Sequence, residues 1–281
     1  MGVDSEGSDN TLRKMIDLGA DITGRLAGAC IAALNPSVPG GLAAAAAGPL
    51  MKHTLTWLAG ELLGRSLSRR EQLRAGATVT YAMAKIRDNL LGGKPLRSDG
   101  FFSEDNTGRS SSEEIAEGVV LAAQRDHEEK KLRAYGNLLG NLAFCPQFSR
   151  AHSNLLIRMA ERLSFRQLCL LALFHPDAGL TDQLRKASYG GSGLNAPLIG
   201  ILQEIFDLTS QELVWREDNM LVLEMRDVIP TKMRVRGSAY SLVYLMELSS
   251  PEFLEDVKEL VPLLQDGALP PFFMTPMSPP A

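Results

Sequence analysis

The sequence predicts a mainly α protein: a Gly/Ala-rich helical hairpin and long helices, followed by a winged-helix-like module with one short β-hairpin. Three observations carry this expectation. Apolar residues recur at helical spacing over most of residues 67–163. Ser149, Ser164, Asn195 and Ser250 stand where such runs begin, as N-capping residues do. Only two short β-prone runs, 212–216 and 220–225, break the helical pattern, and they flank the turn residues Glu217, Asp218 and Asn219.

In chain order, residues 1–18 are a polar lead-in ending in a short amphipathic stretch with Leu12, Met15, Ile16 and Leu18. A helical domain is expected over 19–163, and its first part, 19–63, is the Gly/Ala-rich hairpin. Residues 26–51 carry no charged side chain and are long enough to cross a bilayer. Pro36, Pro39, Gly40 and Gly41 nevertheless break any helix at their centre, which leaves two helices near 20–34 and 42–63. Residues 67–91 then read as one amphipathic helix through Leu73, Ala77, Tyr81, Ala84 and Leu90, stopped by Gly92 and Gly93. The loop 92–112 carries Phe101 and Phe102, a pair expected at the surface.

A single long helix is expected over 111–144, capped by Ser111 and Ser112 and ended by Pro146. Its middle, residues 124–131, lacks apolar side chains. Asp126 with Lys130 and Glu129 with Arg133 are acid-before-base pairs four apart, each adding about 0.2–0.5 kcal/mol to a solvated helix. Near its end Gly-Asn-Leu repeats every four residues, placing Gly136 and Gly140 on one stripe expected to lie against a neighbouring helix, and Asn137 and Asn141 on another. Helices at 149–163 and 165–174 follow. The winged-helix-like module is placed at 164–248: three helices (165–174, 181–187 and 195–208), a hairpin pairing 212–216 with 220–225, and a closing helix at 237–248. A last helix occupies 249–264, and 265–281 form a Pro-rich tail expected to be disordered.

The 281 residues suffice for two modules. A net charge of −4 and a pI near 5.7 remove the broad electrostatic case for a nucleic-acid or anionic-membrane binder. Cys30, Cys145 and Cys169 form no Cys-x-x-Cys pair and read as reduced thiols. The acidic start, Asp4, Glu6 and Asp9, does not fit a secretory signal, so the expected location is cytoplasmic, or peripheral to the inner face of the membrane.

The chemical motifs fail on context. Gly191, Gly193 and Ala196 fit G-x-G-x-x-A, but polar, helical residues precede them where a dinucleotide site needs a buried strand. Leu194 stands where a nucleophile elbow needs its second glycine. His53, His127, His152 and His175 are scattered and offer no convergent metal ligands. No catalytic, cofactor-binding or metal-binding residue is assigned, and no small-molecule substrate is indicated.

The function expected is therefore non-enzymatic binding, with a protein partner or a second copy of the chain. One alternative is membrane association through the N-terminal hairpin, with Leu50, Trp57 and Leu58 entering lipid and Arg65, Arg69 and Arg70 meeting anionic headgroups. Another is DNA binding, for which Lys232, Arg234 and Arg236 are the candidate contacts. It is disfavoured because the expected recognition helix, 195–208, carries Glu204 and Asp207 and no Lys or Arg.

Overall fold

The computed structural model describes residues 67–189 and 194–266. The lead-in, the hairpin 19–63, the glycine turn at 190–193 and the tail from 267 onward lie outside the described residues. The protein is mainly helical, and its chain divides into two units. The first runs to Phe165 and includes Leu245–Glu247; the second comprises Arg166–Tyr244 and Leu248 onward.

The first unit is built on α1 (Arg69–Leu91), α2 (Ser111–Arg125), α3 (Leu132–Leu142) and α4 (Arg150–Arg162). Ser68 opens α1 with a capping box: its hydroxyl accepts from the Glu71 amide while the Glu71 carboxylate accepts from the Ser68 amide. Ser110 does the same for α2 with Glu113, so the cap lies one residue before the expected serines. The buried stripe of α1 is made of small side chains, Ala75, Thr78, Val79 and Ala82, and α3 packs along it. Gly136 and Gly140 face this stripe. A Cβ built on Gly140 would lie 2.8 Å from Lys85 Cβ and 2.9 Å from Ala82 O. Asn137 and Asn141 serve the other stripe: their amides donate to Met246 O (3.2 Å) and Leu245 O (2.9 Å). Those two carbonyls end a helix and have no partner within it.

The long helix expected at 111–144 is two helices with a break. Asp126 caps α2 in extended backbone, accepts from the Glu128 amide at 2.9 Å, and a short 3-10 turn, Glu129–Lys131, leads into α3. A carboxylate that bonds its own neighbouring amide competes with the helix, and the four-apart pairs are too weak to prevent it. The expected surface pair Phe101 and Phe102 is buried, at 6% and 9% exposure, and packs edge to face. Arg97 accounts for this. Its guanidinium lies over the Phe101 ring and donates to Leu142 O and Phe148 O, drawing the loop onto the end of α3.

The second unit holds most of α5 (Phe165–Leu173), then α6 (Ala196–Ser210), strands β1 (Val214–Arg216) and β2 (Met233–Val235), α7 (Ser238–Met246, whose last two residues count in the first unit), α8 (Pro251–Lys258) and α9 (Leu260–Asp266). Asn195 caps α6, its side chain accepting from the Leu198 amide at 2.8 Å. The helix expected at 181–187 is a single 3-10 turn, Thr181–Gln183. The last helix is interrupted at Glu259, because Pro262 has no amide hydrogen to donate to Lys258 O.

The hairpin pairing differs from expectation. β1 pairs antiparallel with β2, in the register Val214 to Val235, Trp215 to Arg234 and Arg216 to Met233, and residues 220–225 form no strand. A half-buried strand needs alternation, which Met233-Arg234-Val235 supplies with its buried, half-buried, buried pattern. Met220-Leu221-Val222-Leu223 is a continuous apolar run instead. A long loop, 217–232, therefore joins the strands.

Candidate functional site

The loop between β1 and β2 is the candidate site, and two aspartates set its shape. Asn219, at φ 58°, turns the chain away from β1. The Asp218 carboxylate accepts from Arg216 Nη2 at 2.7 Å, Arg216 Nε at 3.1 Å and Lys232 Nζ at 2.9 Å, which ties the two stems together. Further along, Asp227 accepts the Leu223 and Glu224 amides at 2.9 and 3.0 Å, while its own carbonyl accepts from Arg216 Nη1 at 3.1 Å. Between these anchors Met220, Leu221 and Leu223 stand 62%, 76% and 74% exposed. The polar groups of the loop are spent on holding its shape, and its apolar groups face outward.

Hydrogen bonds from Arg216 and then Lys232 hold the Asp218 carboxyl well below its ordinary value. A carboxylate with a lowered folded value contributes above its unfolded value, near 4, and the contribution fades as pH falls through the lower folded one. The amide chemical shifts of Met220 and Leu221 are therefore expected to stay constant from neutral pH to about pH 5 and to move only in stronger acid. A transition near neutral pH would mean that the Asp218 anchor does not hold the loop.

The candidate nucleic-acid contacts adjoin this loop, and each is engaged. Lys232 pairs with Asp218 at 2.9 Å, Arg234 with Glu217 at 2.7 Å and Arg236 with Glu212 at 3.0 Å. Over residues 212–236 acidic and basic side chains balance. Arg70 of the membrane-facing set pairs with Glu129 at 2.9 Å, and Arg69 is exposed on the first turn of α1. Leu50, Trp57, Leu58 and Arg65 lie outside the described residues. Among the described residues no helix is long and apolar enough to cross a membrane, and no group of three or more His, Cys, Asp or Glu could hold a metal ion.

One other cluster carries titratable groups. Lys131 Nζ meets Asp126 Oδ2 at 2.5 Å, and Tyr135 donates to the same carboxylate at 2.9 Å. Burial, then the Asp126 charge, pushes the Tyr135 hydroxyl far above its ordinary value. All three side chains are buried, so the cluster ties the break between α2 and α3 to the core and offers no reacting group to a substrate.

Sequence reasoning missed the loop because it assigned 220–225 to a strand. The signal was present in the four consecutive apolar residues after Asn219, which match neither period. No protein-family model matches the chain, and comparison with curated proteins and with solved structures returns no match.

Proposed function

We propose that this chain is a non-enzymatic binding protein whose winged-helix-like second unit docks a protein partner through the loop 220–223. The single observation that supports this most is the exposure of Met220, Leu221 and Leu223 on a loop held at both stems by buried or paired polar groups. A preformed apolar projection loses little conformational entropy on docking, so more of its contact area contributes to affinity. The loop occupies the wing position of such a module, but the basic residues beside it are neutralised by carboxylates, which weighs against phosphate as the ligand.

The test is insertion of charge at the tip. Leu221→Asp with Leu223→Asp is expected to leave unfolding stability within about 0.5 kcal/mol, because both side chains are already in water. The same variant is expected to lose the complexes that the unaltered chain forms in its host, whereas Arg234→Ala with Arg236→Ala retains them. Complexes that survive both aspartates and disappear with the two alanines would move the contact to the basic run and overturn the reading.

A further inference from the structure

We infer that the first unit carries a basic face, at the end where α1 and α3 begin and α2 and α4 finish, and that this face docks on the phosphate headgroups of an anionic lipid surface. It belongs to the first unit, whereas the loop 220–223 belongs to the second.

Contacts between the helix ends bring this face together. Glu129, just before α3, pairs with Arg70 at 2.9 Å and Arg74 at 3.5 Å on the opening turns of α1, and Arg74 Nη1 donates to Gln124 O, near the end of α2, at 3.2 Å. Arg125, the last residue of α2, lies 3.6 Å from Glu161 near the end of α4, and Lys131 Nζ donates to Glu161 O at 3.3 Å. Residues 69–74, 125–133 and 158–162 therefore lie together, and they hold nine Lys or Arg against five Asp or Glu. Residues 85–117, which include the end of α1 and the start of α2, hold five against seven. A whole-chain charge of −4 conceals this separation.

The acidic side chains of this face are occupied within the fold. Glu71 caps α1, Asp126 pairs with buried Lys131, Glu128 accepts the Phe165 amide at 3.0 Å, and Glu129 serves both Arg70 and Arg74. The cations stay in water instead. The Arg70 and Arg125 side chains are each 69% exposed, and Arg69, Lys130, Arg158 and Arg162 are exposed as well. Arg69 and Arg158 pair with no carboxylate among the described residues.

Guanidinium groups fit phosphate oxygens in pairs, which makes phosphate the chemistry this face takes. A headgroup layer suits its layout better than a nucleic acid does. Duplex readout sets one helix or ribbon into a groove, and single strands bind by stacking on exposed aromatic rings. Here the cations come from the ends of four helices, and no Phe or Tyr of the first unit is exposed among the described residues. A lipid surface presents its phosphates across a plane, so several helix ends meet them at once. Each Lys or Arg held near such a surface changes the partition about fivefold, an effect that salt screens.

Co-sedimentation of the full chain with vesicles tests the inference. Vesicles of phosphatidylcholine and phosphatidylglycerol in equal parts are expected to bind it more weakly as salt is raised, and vesicles of phosphatidylcholine alone are expected not to bind it. Arg69→Ala/Arg125→Ala/Arg158→Ala is expected to lower the partition about a hundredfold at an unchanged melting temperature, since all three side chains are exposed. Lysine at the same three positions keeps the charge and is expected to restore the partition to within about threefold. Arg87→Ala/Lys94→Ala, at the other end of α1, is expected to leave it within about twofold. No binding to the anionic vesicles, equal binding to both vesicle types, or a triple-alanine chain that partitions like the unaltered one would each overturn the inference. A DNA or RNA duplex bound at a salt concentration where the vesicles are not, and lost in the triple-alanine chain, would overturn it too and make nucleic acid the occupant.

Discussion

Replacing Gly136 by alanine is expected to destabilise the first unit by about 1–3 kcal/mol in a denaturant titration. Helix propensity alone predicts the opposite sign, since alanine at a helix interior is favoured over glycine by about 1 kcal/mol. Packing decides the matter here. The added Cβ would overlap Tyr81 Cβ and lie 2.8 Å from Thr78 O and 2.9 Å from Ala82 N, and two of those neighbours are backbone atoms of α1 that cannot rotate away. Gly118 is the internal control. Its Cβ would meet Ile157 Cδ1 at 3.5 Å, an ordinary contact, so Gly118→Ala on α2 is expected to be neutral or stabilising. Equal responses at the two glycines would contradict the close approach of α1 and α3.

Lys131→Ala is expected to cost about 3–5 kcal/mol, because it leaves the buried Asp126 carboxylate without its cation. The pairing is unlike the surface ion pairs elsewhere in the chain: the two side chains are only 2% and 6% exposed. Tyr135→Phe removes one further hydrogen bond to the same carboxylate and is expected to cost about 1.5–3 kcal/mol. Removing Asp126 and Lys131 together, as Asp126→Ala with Lys131→Ala, is expected to cost less than the sum of those two single changes, since no buried charge is then stranded. Additive losses in that double-mutant cycle, read by urea unfolding, would show that the two groups do not act as a pair.

These same residues show what a sequence carries and what it does not. Helix starts at Ser149 and Asn195 and the end of α1 at Gly92 were legible, since capping chemistry acts within a few residues. The glycine stripe was legible because the four-residue repeat fixes its direction without knowledge of the partner. The break at Asp126 was not. Locally the charged run 124–131 favours a helix, and only the distant core that receives Asp126, Lys131 and Tyr135 makes the break worthwhile. Phe101 and Phe102 were misplaced for the same reason, because Arg97 finds its carbonyl partners some fifty positions away, at Leu142 and Phe148. In the candidate site the sequence marked Lys232, Arg234 and Arg236 as basic, but their carboxylate partners emerge only once β1 pairs with 233–235. The tip was misassigned because its apolar residues serve no core, so neither helical nor strand period describes them.

The central claim, that Met220, Leu221 and Leu223 are a docking surface, is tested most directly by a photoreactive amino acid placed at Met220 of the full chain in its host cell. Glu104, an exposed residue of the first unit, serves as the comparison position. The account predicts a discrete protein adduct from position 220 and no such adduct from position 104. Adducts of the same kind and yield from both positions would contradict it.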